Sequence, residues 1–314
     1  EGRSIGFVPT MGFLHAGHRA LMAQARSACD LVVVSIFVNP LQFGANEDLA
    51  GYPRDLESDI EACTAEGVEI VFHPSVEEMY PVPMRTVVTV TGLTDRLCGA
   101  SRPTHFAGVA TVVAKLFGMV GPCDAFFGKK DYQQVAVVKR LVRDLSLPVN
   151  VVECPTVRED DGLAMSSRNT YLDVPARQNA IALSRSLFAL VDSVGAGERN
   201  RLQIESDLVQ SLGSSQGVTI DYAEVLTGDD LTITENIEVG REYVAAVAAR
   251  VGAARLIDNV SFTLDPSGKF LLIANQKSNE IVVVERDPKT GLLGKTVQKL
   301  TIDAPSDLKF LVRQ

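Results

Sequence analysis

The sequence predicts an α/β protein: a doubly wound parallel sheet, then a smaller α+β domain, then a C-terminal appendage resembling a β-hairpin. Three patterns along the 314 residues indicate this order. Apolar runs alternate with helix-like stretches up to about residue 156, as in parallel sheets covered by helices. A polar loop and two longer helical patterns come next. From Ser261 onward, two β-type runs are joined by a polar turn, which is typical of an antiparallel hairpin.

The first domain, residues 1–156, is predicted from five short apolar runs and the helical periodicity between them. Parallel strands that are buried on both faces read as continuous apolar runs, as these do. The predicted strands are Ser4 to Val8, Leu31 to Val38, Glu69 to His73, Asp124 to Gly128 and Val149 to Cys154. The predicted helices are Arg19 to Cys29, Leu56 to Glu66, Phe106 to Val120 and Gln133 to Asp144.

The second domain, residues 157–260, is expected to be a smaller lid domain. Its predicted helices are Pro175 to Val194 and Arg201 to Leu212, and its predicted strands are Asp221 to Leu226 and Arg241 to Val251. The third segment, residues 261–314, holds the β-type runs Phe270 to Ala274 and Glu280 to Glu285, followed by Asp-Pro-Lys-Thr-Gly.

Composition excludes several functional classes. The chain has no run of eighteen uncharged apolar residues and no positively charged segment leading into an apolar one, so neither a membrane span nor a secretory signal is expected. A net charge of −9 argues against a nucleic-acid surface. Five cysteines without a Cys-x-x-Cys pair predict reduced thiols and a cytoplasmic location. The expected partners are therefore small molecules.

The stretch VPTMGFLHAGH, residues 8–18, is the first candidate site. His15 and His18 are three residues apart, so a helix that begins near Ala16 would place both rings beside its unsatisfied N–H groups. Those groups and the helix dipole favour an anion, and Gly17 would let a nucleotide approach the backbone. The competing interpretation is simple helix capping. The position after a strand, at the ligand-binding edge of an open sheet, favours the anion site.

Three further clusters stand at predicted strand ends or in loops. FFGKKDYQQ (126–134) sets Lys130, Asp131 and Gln134 at a helix start, SIFVNPLQF (35–43) is expected to face Asn39 and Gln42 outward, and AMSSRN (164–169) gathers hydroxyls, an arginine and an amide. The plain alternatives are a capped helix start, a strand-end turn and a loop turn.

Together these segments resemble the pantothenate synthetase family over about residues 3–260. VPTMGFLHAGH, VSIFVNPLQFG, YPR, RPTHFAGV, FFGKKDYQQ, PTVREDDGLAMSSRN and RLIDN occur in the family's order and spacing. The resemblance implies a Rossmann-like fold of the nucleotidyltransferase type. It also implies an ATP- and magnesium-dependent ligase that activates pantoate as an adenylate, releases pyrophosphate, and joins the pantoyl group to β-alanine with release of AMP. The family further implies a homodimer formed through the first domain.

The resemblance also implies roles for individual residues. His15, His18 and Lys130 would act on the ATP phosphates, with Ser166, Ser167 and Arg168 as a covering loop. The implied ATP site comprises Pro9, Thr10, Met11, His15, His18, Gly128, Lys130, Asp131, Val157, Met165, Ser166, Ser167 and Arg168. The implied pantoate site comprises Pro9, Met11, Asn39, Gln42 and Gln134. Asp59 falls on a carboxylate associated with magnesium.

Some positions depart from the family pattern. Lys129 stands where many relatives have glutamate, which we expect to alter only a solvated face. Ala164 stands where some relatives carry a lysine, which would shift phosphate contacts onto Lys130 and Arg168. Ser58 and Ala62 replace the carboxylate and amide expected near the metal, which leaves Asp59 as the one implied carboxylate there.

The last segment resembles something else: one blade of a seven-bladed propeller lactonase of the 6-phosphogluconolactonase kind. One blade without neighbours leaves sheet edges unpaired, so we interpret residues 261–314 as a foreign segment without lactonase activity.

Two alternatives to the ligase remain open from the sequence. One is a nucleotidyltransferase that moves CMP or AMP onto a phosphorylated alcohol, since such enzymes share the His-x-Gly-His arrangement. The other is a non-catalytic fusion, in which the appended blade prevents folding or dimer formation.

Overall fold

The computed structural model describes residues 2–44, 49–264, 270–275, 280–287 and 293–301. The chain divides into two compact units. The first contains the residues up to Cys154 together with Met165–Ser167, and the second contains Pro155–Ala164 together with the chain from Arg168 onward. The domain limits expected from the sequence stay a prediction, and the expected junction at 156 lies two residues from this division.

The first unit is built on a five-stranded parallel sheet in the order β3-β2-β1-β4-β5. This confirms the predicted fold class. Its strands are β1 (Ile5–Thr10), β2 (Leu31–Ile36), β3 (Ile70–Phe72), β4 (Cys123–Gly128) and β5 (Val149–Cys154). The core between the sheet and its helices is apolar, and Val8, Val34 and Phe126 are at most 1% exposed. All five predicted strands form, although β1 extends through Pro9 and Thr10 to pair with Ser35 and Ile36.

Helices cover this sheet. They are α1 (Ala16–Ala28), α2 (Leu56–Ala65), α3 (Val76–Met79), α4 (Leu97–Ser101), α5 (His105–Val120) and α6 (Tyr132–Asp144), and 3₁₀ turns span Pro40–Gln42 and Lys129–Asp131. The short α3 is not among the predicted helices, although Ser75 and Glu78 form a capping box that is readable from the sequence.

The strand order fixes where a ligand can bind. From β1 the chain moves outward to β2 and β3, then returns to the other side of β1 and continues through β4 and β5. The order therefore reverses between β1 and β4. Open α/β sheets bind ligands at such a reversal, beyond the carboxyl ends of the strands.

The second unit packs helices on an antiparallel sheet, as the predicted α+β domain requires. Its helices are α7 (Val174–Ala180), α8 (Ala182–Ala196) and α9 (Arg201–Gly213), and its sheet, in the order β6-β7-β8, contains β6 (Val218–Thr227), β7 (Glu242–Val251) and β8 (Ala254–Thr263). The single helix expected from Pro175 to Val194 is interrupted at one residue, Ile181, whose backbone remains right-handed (φ −61°, ψ −22°).

The C-terminal segment forms its own antiparallel sheet. It contains β9 (Phe270–Asn275), β10 (Glu280–Arg286) and β11 (Leu293–Thr301) in the order β11-β10-β9. The two predicted runs become β9 and β10, and a third strand joins them. The predicted polar turn between them and the residues of Asp-Pro-Lys-Thr-Gly after Asp287 lie outside the described residues.

Two further features concern the helices and the cysteines. Among the described residues, no helix combines the length and the apolar character needed to cross a bilayer. All five cysteines are buried free thiols.

Candidate active site

Three neighbouring strands deliver the candidate residues to one edge of the sheet. His15 and His18 follow β1, Asn39 and Gln42 follow β2, and Lys130 follows β4. Because β1 lies between β2 and β4 and all three run in parallel, their carboxyl ends share one edge. The sheet therefore gathers segments that are separated by more than a hundred residues in sequence.

The two histidines form a pair at the start of α1. His15 is the N-cap residue, and its Nδ1 accepts the N–H of Gly17 at 3.1 Å. The Nδ1 of His18 accepts the N–H of His15 at 3.3 Å. The ring centroids are 4.1 Å apart. Helix capping, the competing interpretation from the sequence, is therefore real, but it occupies only the Nδ1 atom of each ring.

This capping determines the protonation of both rings. An Nδ1 that accepts an N–H carries no proton, so a neutral ring must carry its proton on Nε2 and offer an Nε2–H donor. Burial, reinforced by the nearby positive charge of Lys130, lowers the pKa of His15 to about 4. Burial and the neighbouring His15 lower the pKa of His18 to about 3. Both rings are thus neutral N–H donors at physiological pH.

Gly17 packs closely against the ring of His15. A Cβ at this position would lie 2.8 Å from Cε1 of His15 and 3.0 Å from its Nδ1. The glycine is therefore required by the packing of the His15 ring over the first turn. The expected approach of a nucleotide to this backbone stays a prediction.

Lys130 provides positive charge beside the histidines. It lies in the 3₁₀ turn after β4, its side chain is 17% exposed, and its Nζ is 3.9 Å from Oδ2 of Asp131. Its charge contributes to the lowered pKa of both His15 and His18, which reflects its proximity to them. At Gly128, a Cβ would meet no atom within 4 Å, so the strand end is open.

Lys129 corrects an expectation. We expected its exchange for glutamate to alter a solvated face, but the lysine is 4% exposed. Its Nζ lies 3.9 Å from Oε2 of Glu153 and 5.6 Å from the centroid of the Tyr132 ring. Because a buried charge needs a partner, Glu153 at the end of β5 compensates the exchange.

Gln42 and Met11, two residues of the implied pantoate site, are in contact. The Nε2 of Gln42 lies 3.1 Å from the Sδ of Met11, and its Oε1 accepts a hydrogen bond from Asn39 at 3.1 Å. Gln42, which is 8% exposed, does not face outward as expected. Nor does Asn39, which is 1% exposed. Its amide also donates to the Gly108 carbonyl and accepts from the Leu41 N–H and the Tyr80 hydroxyl. With its amide engaged internally, Asn39 orients Gln42.

The segment RPTHFAGV supports the same turn, which sequence reasoning did not foresee. Arg102 donates to the Gln42 carbonyl at 3.3 Å, and Nδ1 of His105 lies 2.9 Å from the same oxygen. A Cβ on Gly108 would lie 2.2 Å from the Leu41 carbonyl, so only glycine lets α5 approach the turn this closely. The motif was visible in the sequence, but its contacts are not local.

The two glutamines at the start of α6 have different environments. Gln133 is buried and donates to the carbonyls of Leu93 and Arg96, both at 2.8 Å. It therefore ties α6 to the preceding loop. Gln134, the implied pantoate ligand, is partly exposed.

Thr10 and Asp59 both make internal hydrogen bonds. The Thr10 hydroxyl donates to the Ser35 carbonyl and accepts the Gly12 N–H. Asp59 is 2% exposed, and its two oxygens accept the N–H groups of Phe13 and Leu14. Among the described residues, no three His, Cys, Asp or Glu side chains converge on a metal position. The described residues therefore form no magnesium site made of protein ligands alone, and the role of Asp59 as a single magnesium ligand stays a prediction.

The remaining implied residues are divided between the units. Met165, Ser166 and Ser167 belong to the first unit, and the Met165 Cβ is 3.8 Å from where a Cβ on Gly17 would lie. Val157 and Arg168 belong to the second unit. Ala164, also there, is 4% exposed and forms a β-bridge with Arg158.

Comparison with known proteins matches most of the chain to one family. The family described as pantoate-beta-alanine ligase matches residues 1–261. A pantothenate synthetase from Enterococcus faecalis is 49% identical over 84% of this chain and 93% of its own length. One from Heliobacterium modesticaldum is 52% identical over 83% and 92%.

Solved structures agree with the sequence matches. A pantothenate synthetase from Thermus thermophilus has a TM-score of 0.78 at 48% identity and covers 82% of this chain and 92% of its own. A pantoate-beta-alanine ligase from Francisella tularensis, complexed with beta-gamma ATP and beta-alanine, has a TM-score of 0.67 at 33% identity, covering 82% and 89%. A second family, seven-bladed beta-propeller lactonases, matches only residues 260–310.

Proposed function

The chain belongs to the pantoate-beta-alanine ligase family and is an ATP-dependent ligase of that kind, and we propose that its histidine pair and Lys130 carry the adenylation of pantoate. The product of the complete reaction is pantothenate. The observation that carries the proposal is the close pair of neutral imidazoles at the N-terminus of α1, with ring centroids 4.1 Å apart, beside a lysine.

Adenylation concentrates negative charge on the phosphate oxygens of ATP. Catalysis of such a transfer depends mostly on positioning and on electrostatic stabilisation. The Nε2–H groups of His15 and His18 and the ammonium of Lys130 are donors suited to that charge. Because both imidazoles are neutral, they donate hydrogen bonds without repelling the cationic Lys130. Ser166 and Ser167 are proposed to contact the same phosphates, and Arg168 and Val157 keep the ATP-binding roles that the resemblance implies.

Pantoate is proposed to lie beside Met11 and Gln42. A neutral amide can hydrogen-bond both a hydroxyl and a carboxylate, and these are the polar groups of pantoate. The contacts of Gln42 with Asn39 and Met11 support this assignment, because they hold the amide in one orientation. Gln134 and Pro9 are proposed as further contacts, and Gly128 and Asp131 as contacts to the ribose.

Magnesium is proposed to arrive with the nucleotide. Mg²⁺ commonly keeps several waters and binds through substrate phosphates with few protein carboxylates. The internal hydrogen bonds of Asp59 support this assignment, because they occupy the carboxylate that the resemblance implied.

The protein is further proposed to be a cytoplasmic homodimer that associates through the first unit. The exposed side chains of Ile70 (47%) and Phe72 (36%) on the sheet-edge strand β3 support a subunit interface there. The unbridged cysteines support a reducing compartment. If the subunit interface lies at β3, replacing Ile70 and Phe72 with lysine should halve the mass of the protein measured by light scattering. An unchanged mass would exclude this edge.

The proposed chemistry is tested by exchange of labelled pyrophosphate into ATP. Reversible adenylation requires exchange that depends on pantoate but not on β-alanine. The nucleotidyltransferase alternative requires a phosphorylated alcohol instead, and the family match does not favour it. Pure, folded protein without pantoate-dependent exchange would refute the proposal.

A further inference from the structure

The loop that connects β1 to the histidine pair has a strained backbone. Gly12 has a φ of 81° and Phe13 has a φ of 53°. Glycine adopts such values freely, but a bulky side chain strongly disfavours them. Surrounding contacts must therefore hold Phe13 in this conformation.

Asp59 supplies those contacts from α2, more than forty residues away in sequence. Its Oδ2 accepts the Phe13 N–H at 2.9 Å, and its Oδ1 accepts the Leu14 N–H at 2.7 Å. Hydrogen bonds to a carboxylate are stronger than those between neutral groups. The carboxylate is 2% exposed, so water offers little competition for these amides.

Gly12 lets the carboxylate come this close. A Cβ at Gly12 would lie 2.8 Å from Oδ2 of Asp59 and 3.0 Å from Cγ2 of Ile36. The Gly12 N–H is in turn held by the Thr10 hydroxyl at 3.2 Å. The three successive amides of Gly12, Phe13 and Leu14 are thus all fixed by side chains, and the next residue is His15.

We propose that Asp59 is a positioning residue, which holds the strained loop 12–14 and thereby fixes the orientation and tautomer of His15 and His18. It acts through the loop and does not bind a metal. The inference rests on the proposed function for its catalytic consequence, but the structural effect on the histidines can be measured without activity.

The first test compares Asp59→Asn with the control Glu61→Gln, which changes an exposed carboxylate on the same helix. The asparagine retains one acceptor but turns a donor toward the second amide. Misplaced catalytic groups lose rate steeply, so kcat should fall on the order of 10²-fold, while the KM for pantoate and the magnesium concentration for half-maximal rate change less than about threefold. The control should resemble the wild type.

The tautomers provide a readout that a merely structural role would not change. The chain has only four histidines, so ¹⁵N-histidine spectra are simple to assign. We expect the Nε2–H form for His15 and His18 in the wild type and in the control. Asp59→Asn should give a mixture. Unchanged tautomers with a normal kcat would overturn the proposal, and so would a magnesium requirement raised tenfold with full kcat at saturation.

Phe13→Gly tests the same idea from the loop. Glycine accepts a φ of 53° without strain, so the loop then needs its anchor less. Adding Phe13→Gly to Asp59→Asn should restore at least about tenfold of the lost rate, on the order expected for partial recovery of geometry. No recovery in a folded double variant would contradict the anchor. If Asp59→Asn alone does not fold, the double variant takes its place in both measurements.

The two levels of inference can be separated. A wild-type protein without pantoate-dependent exchange refutes the proposed function. In that case the tautomer comparison still decides the role of Asp59.

Discussion

His15 and His18 each use one nitrogen to cap α1 and leave the other to donate. This division explains why two histidines, and not a lysine and a histidine, begin the helix. A capping ring is fixed in orientation by its own helix, whereas a lysine side chain keeps much of its rotational freedom. Capping and chemistry can therefore be separated by substitution.

We predict that His15→Asn preserves the fold but loses activity. Asparagine is among the best N-cap residues, so the free energy of unfolding should change by less than about 1 kcal/mol. The lost ring donor should slow pantoate-dependent exchange by about 10²-fold or more. His15→Ala should lose both stability and rate. Normal exchange by the asparagine variant would exclude His15 from the adenylation step.

Lys130→Ala should reduce pantoate-dependent exchange to a similar extent without removing a helix cap.

The lowered histidine pKa values predict a pH dependence of stability. Between pH 6.5 and about pH 4 the unfolded chain binds protons at these two histidines while the folded protein does not. The free energy of unfolding should therefore decrease as the pH falls through this range, and be fully retained above it. Urea unfolding at a series of pH values measures this. The slope of the free energy of unfolding against pH should decrease in the double variant His15→Asn, His18→Asn. An unchanged slope would assign the pH dependence to other groups.

At the scale of elements, buried polar groups hold loops onto the sheets and helices. In the second unit, Arg158 forms a bidentate pair with Asp258 of β8 at 2.7 and 2.8 Å. It also donates to the carbonyls of Gly162 and Asn259, and its guanidinium lies 5.2 Å from the Phe188 ring centroid. One side chain thus fixes the 158–164 hairpin to the sheet and to α8.

We predict that Arg158→Met strongly destabilises the second unit. The pair is buried, with Asp258 2% exposed. Removing the arginine therefore leaves the buried carboxylate of Asp258 without its partner. Breaking one partner of such a pair costs about 3–5 kcal/mol. The control is Arg255→Met, which removes the more exposed pair with Asp221 and should cost less than about 1 kcal/mol. Similar losses for both variants in urea unfolding would contradict this reasoning.

At the scale of the whole molecule, two family matches meet at residues 260–261. The sheet of the second unit extends slightly beyond that point. Thr263 pairs with Glu242, the Leu264 carbonyl accepts the Gly240 N–H, and Leu264 is 1% exposed. Residues 263 and 264 therefore continue the sheet of the second unit past the expected boundary at 261, which stays a prediction.

We predict that removing residues 265–314 leaves kcat for pantothenate formation within about twofold of the full chain, because no residue of the proposed chemistry is removed. Removing residues 261–314 should instead lower the midpoint of thermal unfolding, since it shortens β8. Solubility should rise in the first variant, because sheet edges of the appended segment are lost. A large fall in kcat after the shorter deletion would show that the segment contributes to catalysis. Lactonase activity in the full chain would contradict its interpretation as an isolated blade.

The sequence by itself determined the fold class and the points where the chemistry enters. Five apolar runs predicted the five strands of the first sheet, and VPTMGFLHAGH and FFGKKDYQQ marked the strand ends that carry His15, His18 and Lys130. These features are local, because periodicity and strand-end composition depend on neighbouring residues.

Only the tertiary structure decided what the other polar residues do. Asn39, Lys129 and Asp59 looked like outward-facing, solvated or metal-binding side chains. Each is buried against partners that lie tens of residues away: Gly108 and Tyr80, Glu153, and the amides of Phe13 and Leu14. The physical reason is that a buried polar group must be satisfied, and its partners are chosen by packing across the sheet edge rather than by distance along the chain.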